Sequence, residues 1–246
     1  MSHTSQRRGV DRHTANRELI VLAMVPSRYK RDWGVRGAMR ELAMTMLKHR
    51  PENWLSRNFT RLKVPKLGPA QGVIEFIDKF RPQATPEILV SLAGLMSSVM
   101  TAVYTDRDAV ARLIAEIKGP WLSRNREKGY PISIVLSGIP DDVRACCTRS
   151  GVREHTYLHS IGFYGRVAGL PSEDELSLMT MCGHGLISVH RVRHLTGLIA
   201  DRHLTPREAA EDIARPCVCG IVNMTRAADI FTRLAAGLGS GSPLTS

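Results

Sequence analysis

The chain has 246 residues and five cysteines, an odd number with two of them adjacent, which argues against a secreted disulfide framework and leaves thiols free to act as ligands or nucleophiles. Its length suits one large domain or two small ones, and with no charged-then-apolar leader the expected setting is reducing and cytoplasmic. A formal charge of +11 favours an acidic partner, such as a small anionic substrate or nucleic acid, but aromatics make up only 5% of residues and no stacking platform stands out.

Along the chain, the first sixteen residues carry Arg7, Arg8, Arg12, His3 and His13 without apolar periodicity and read as a disordered basic tail. Leu19 to Val25 is an apolar run stopped by Pro26 that suits a buried strand, and Pro131 to Gly138 suits a second. Between them, helical character covers residues 34–48, 70–80, 85–104 and 107–118, with Thr85-Pro86-Glu87 and Asp106 as helix starts. The uncharged stretch from Ile88 to Tyr104 falls short of the roughly 20 apolar residues a bilayer requires. Ser91, Gly94, Ser97, Ser98 and Thr101 dilute it further, so it reads as a buried core helix and no membrane span is expected.

Beyond the second strand, Pro140-Asp141-Asp142 opens a helix that carries Cys146 and Cys147, and Gly151 is placed to close it. His155 to Val167 has a strand-and-turn look, with Gly162 and Gly165 permitting a bend, and Ser172 and Thr205 each start a capping box. The expected fold is α/β or α+β, predominantly helical with a small central sheet. The helical N-terminal part spans 17–129, a cysteine-rich metal- or cluster-binding part spans 130–238, and a flexible tail follows over 239–246.

Chemistry concentrates in two boxes, Cys182-Gly183-His184-Gly185 and Pro216-Cys217-Val218-Cys219-Gly220. An apolar helical run follows each, which places each box at a helix N-terminus, where unpaired amides and the dipole stabilise thiolates. Gly183, Gly185 and Gly220 let backbone approach a bound group closely. An iron-sulfur cluster held by thiolates is anionic and suits such a setting, with Cys182, Cys217 and Cys219 as ligands and a fourth from Cys146 or Cys147. If only three cysteines reach a [4Fe-4S] cluster, one iron stays open as a Lewis acid for a lyase or desulfurising reaction. Zinc is the competing occupant, with Cys182, His184, Cys217 and Cys219 as a tetrahedral set.

Met181-Cys182-Gly183-His184-Gly185 resembles the Met-Cys-Gly-His-Gly box of the proline racemase family, over about seven residues of this chain. The resemblance implies a cofactor-independent racemase or epimerase in which Cys182 is one of two thiols that exchange a proton at the substrate alpha carbon. The family's second thiol lies in an Asp-Arg-Ser-Pro-Cys-Gly-Thr-Gly-Thr segment, which Arg215-Pro216-Cys217 echoes faintly and without the Gly-Thr-Gly-Thr part.

Three further residues are candidates for work at the site: His155 and His159 as acid or base near neutrality, and Arg226 as the partner of a substrate carboxylate or phosphate. His190 and His194 share one helix face, but Arg191 replaces the glutamate that a zinc protease needs. The leading expectation is an iron-sulfur or other metal-binding protein of lyase type, and homo-oligomers are compatible with it. The alternatives are the racemase and a zinc-stabilised nucleic-acid-binding module that uses the basic N-terminal region.

Overall fold

The computed structural model describes residues 7–8, 18–55, 85–130, 132–158, 164–217 and 219–239. The expected helix over 70–80, together with Pro131, His159 and Gly162, lies outside them. The fold is α+β and predominantly helical, arranged around a four-stranded antiparallel sheet of order β2-β3-β1-β4. β1 (Leu19–Met24) pairs with β3 (Val99–Tyr104) on one side and β4 (Ser133–Ser137) on the other, and β2 (Asn53–Trp54) borders β3. As an inner strand β1 is covered on both faces. It therefore reads LIVLAM without polar alternation.

The helices are α1 (Trp33–Lys48), α2 (Pro86–Met96), α3 (Arg107–Glu116), α4 (Leu122–Glu127), α5 (Pro140–Arg149), α6 (Glu173–Met181), α7 (Val189–Ala200), α8 (Pro206–Ala214) and α9 (Met224–Gly239). Their starts follow capping chemistry. Thr85 accepts the Ile88 amide, Asp106 accepts that of Asp108, and Ser172 and Thr205 complete reciprocal capping boxes with Glu175 and Glu208. No helix among the described residues is long and apolar enough to cross a membrane.

The stretch 85–104, which reads as one helix in sequence, divides in two. α2 ends at Ser97, whose hydroxyl accepts the Val99 amide at 3.1 Å and donates to the Val99 carbonyl at 2.6 Å. The chain then continues as β3. Val99, Thr101 and Val103 are β-branched at alternate positions, a strand preference that burial of both faces conceals from a periodicity reading. The strand expected within 155–167 is absent among the described residues there, which carry only a short 3-10 turn over Val167–Gly169.

Register places Met100, Ala102 and Tyr104 on one face of the sheet with Leu19, Val21 and Ala23. That face lies under the N-terminal helices: the Tyr104 hydroxyl donates to the Met46 carbonyl of α1 at 2.8 Å, and α3 packs against β1 and β3. The opposite face carries Thr101 and Asn53. Thr101 Oγ1 donates to the Cys219 carbonyl, and Asn53 Nδ2 to the Val222 carbonyl at 2.9 Å. The second cysteine box is thereby seated on the sheet. α6, α7, α8 and α9 pack on one another beyond it.

Candidate functional site

Cys182 occupies the C-terminal end of α6, which corrects the expectation of a helix start. Gly183 and Gly185 take φ of +73° and +67°, a left-handed path that ends α6 and delays the next helix to Val189, capped by Ser188. Cys182 thus sits near the negative end of a helix dipole. Its amide support comes from the turn itself, where the N–H groups of His184 and Leu186 are directed at the sulfur. The sulfur is buried, while His184 and Gly185 face solvent.

The second box is a tight turn in which the Gly220 amide donates to the Cys217 carbonyl at 3.2 Å. Gly220 has φ of +64°, and a Cβ there would overlap the backbone carbonyl of Trp54, so both its path and its seat on β2 require glycine. The Ile221 and Val222 amides point at the Cys217 sulfur. Asn223 then caps α9, accepting the Arg226 amide on Oδ1 at 3.0 Å.

These two turns bring three sulfurs and one imidazole into contact. His184 Nδ1 lies 3.2 Å from Cys219 Sγ and 3.9 Å from Cys182 Sγ. Cys217 is hydrogen-bonded to both Cys182 and Cys219, and those two thiols hold its own ionisation far below the ordinary cysteine value. Hydrogen bonding to Cys217, reinforced by burial, pushes Cys182 and Cys219 the other way. Cys217 is thus the acceptor of the network, favoured in its ionised form over Cys182 and Cys219. Among the described residues no group of three or more His, Cys, Asp or Glu side chains is set to hold a metal ion.

A buried charge cluster clamps the boxes from below. Arg7 Nε donates to the Met181 carbonyl at 2.8 Å, its Nη2 lies 3.5 Å from the Ile221 carbonyl, and the same Nη2 pairs with Glu18 at 2.5 Å. Arg226 pairs with the same Glu18 oxygen at 2.8 Å and donates to the Arg8 carbonyl at 2.6 Å. All three side chains are almost fully buried. Two guanidinium groups against one carboxylate leave a net positive charge beneath the two turns. Arg7 and Arg8 are thus docked against the C-terminal region, which corrects their assignment to a disordered tail. Arg226 is a buried structural partner of Glu18 and not the solvent-facing partner of a substrate anion that its position in sequence suggests. The one sequence signal for this cluster is Glu18, a carboxylate set directly against a buried strand.

The vicinal pair is elsewhere. Cys146 and Cys147 lie on α5 against α3, with the Cys146 sulfur 3.5 Å from the Arg107 carbonyl. The groups that influence Cys146 are Cys147, Asp142, Arg107 and Arg149, and for Cys147 it is Glu154. None of these acts on the other three thiols. Neither cysteine is brought to the site as a fourth ligand. His155 is exposed and pairs with its neighbour Thr156 at 2.7 Å, while His159 lies outside the described residues. Compared with known proteins, the chain matches no family model, no curated protein and no solved structure.

Proposed function

We propose that the chain is a metal-binding protein whose centre is formed by Cys182, Cys217 and Cys219, with His184 as a solvent-facing fourth donor. The carrying observation is that two loop segments join these four donors in one ring of contacts, with all three sulfurs buried. A tetrahedral zinc ion, with metal–sulfur bonds of about 2.3 Å and a metal–nitrogen bond of about 2.0 Å, sets sulfur and nitrogen about 3.5 Å apart. The two His184 separations, 3.2 Å and 3.9 Å, bracket that edge. Loading needs the thiol protons to leave and the donors to turn toward a common point.

The same three thiolates suit the [4Fe-4S] cluster that the boxes suggest in sequence. A cubane, however, distributes its thiolates over separate irons, whereas these donors touch, which favours a single borderline cation such as zinc or ferrous iron. Contact between the thiols also weighs against the racemase reading, because no substrate carbon fits between hydrogen-bonded sulfurs. With His184 displaced, a cation here offers a Lewis-acid position to an oxygen of a small anionic substrate, the basis of a lyase-type activity.

Anaerobic purification followed by metal and acid-labile sulfide analysis tests the reading. The expected result is about one zinc or iron per chain without sulfide, lost in Cys217→Ser. Matching iron and sulfide would replace the single ion with a cluster. Full-length protein that takes up neither metal nor cluster on reconstitution would overturn the proposal.

A further inference from the structure

Trp33 opens α1 with 74% of its side chain exposed. An indole left in water at the first turn of a helix forfeits the burial that such a side chain ordinarily contributes. The ring is nevertheless held in place. Asp32 caps the helix by accepting the Val35 amide at 3.0 Å, Arg36 Nε donates to the Lys30 carbonyl at 2.9 Å, and the Arg36 guanidinium lies 5.0 Å from the Trp33 ring centroid. One turn earlier the Arg28 guanidinium lies 5.0 Å from the Tyr29 ring centroid.

Positive charge is concentrated around the ring. Residues 28–40 carry Arg28, Lys30, Arg31, Arg36 and Arg40 against one carboxylate, Asp32, which is engaged as the helix cap. Four surface arginines elsewhere are matched to acids: Arg124 to Glu41, Arg149 to Asp108, Arg191 to Asp212 and Arg233 to Asp174. Among the described residues no carboxylate pairs with Arg28, Lys30, Arg31 or Arg36.

We propose that this face binds single-stranded nucleic acid, with a base stacked on the exposed Trp33 ring and the adjoining phosphates on Arg28, Lys30 and Arg31. An unpaired strand offers the free base face that an aromatic platform needs, and its phosphates supply the missing negative charge. A duplex keeps its bases stacked internally. A bilayer calls for a continuous apolar face, but the exposed residues between Arg28 and Trp33, namely Arg28, Lys30, Arg31 and Asp32, are all charged. The inference is independent of the metal centre.

The test titrates the full chain with short oligothymidylate and oligouridylate while following tryptophan fluorescence, with a duplex and phosphatidylserine vesicles as competing probes. Trp121 is buried and Trp54 half-buried, so the response reports mainly Trp33. Expected are quenching by both oligonucleotides, affinity that falls with salt, and a loss of about tenfold or more in Trp33→Ala that Trp33→Phe partly restores. Arg31→Gln lowers the salt slope by about 0.7. Equal affinity of the wild type and Trp33→Ala would overturn the proposal, as would preference for the duplex or binding to vesicles alone. Trp33 lies outside the core, so folding of both variants is checked by an unchanged circular dichroism melt.

Discussion

The five cysteines are all buried, yet they occupy two different chemical settings. Cys146 and Cys147 lie on the inner face of α5, where the nearest partner of the Cys146 sulfur is a carbonyl and burial simply disfavours ionisation. Cys182, Cys217 and Cys219 lie on turns and form one network with His184; Cys182 and Cys217 receive amides from the residues that follow them, and Cys219 receives its own. Burial therefore does not separate a packing thiol from a ligand. The donors aimed at each sulfur do, and turns supply them because a helix has already committed its amides to its own carbonyls.

The sharpest way to break this contrast is to release the clasp that holds the turns together. Arg7→Met removes one partner of a buried carboxylate and the donor to the Met181 and Ile221 carbonyls, and is expected to cost about 3 to 5 kcal/mol in urea denaturation. At moderate denaturant it should expose Cys182, Cys217 and Cys219 to a thiol reagent before Cys146 and Cys147. Simultaneous exposure of all five would mean that the clasp secures the fold as a whole and not the site.

A smaller effect is expected at Gly220. A Cβ there must overlap the Trp54 carbonyl and adopt a left-handed backbone, so Gly220→Ala is expected to lose about 2 to 3 kcal/mol and to weaken metal retention, read by chelator competition. Gly185, also left-handed but with open space around its Cβ position, pays only the backbone term. If Gly220→Ala and Gly185→Ala cost the same, the seat on β2 contributes nothing to the site.

How much of this the sequence discloses follows from the range of the interactions. The caps at Thr85, Asp106, Ser172 and Thr205 rest on contacts three residues long or less, and they are legible. β1 and β4 are legible as short apolar runs, whereas β3 is hidden in an uncharged stretch that fits a helix equally well, and β2 is too short to leave a pattern. The boxes announce themselves through cysteine and glycine. Their helix-start geometry does not hold at Cys182, because Gly183 and Gly185 turn the chain before α7 can begin. The clasp is invisible beforehand: Arg7 meets Met181 and Ile221 across separations of 174 and 214 residues, and no local pattern encodes such a meeting.

The last and smallest contrast concerns pH and the thiol that takes no part in the site. Burial raises Cys146 from the ordinary 9.0 to about 11, so the folded state favours the neutral thiol. The sign follows directly. Below about pH 9 both folded and unfolded chains keep the proton, and the contribution of this group is fully present. Between pH 9 and 11 the unfolded chain loses the proton first, the folded chain binds more protons, and stability declines as pH rises. Cys146→Ala is expected to cost about 1 to 2 kcal/mol at pH 8 through lost packing, with metal content unchanged, and to cost measurably less near pH 11. A cost that stays constant across that interval would show that the α5 thiol is not shielded from water, and loss of metal in the same variant would join it to the site from which the structure separates it.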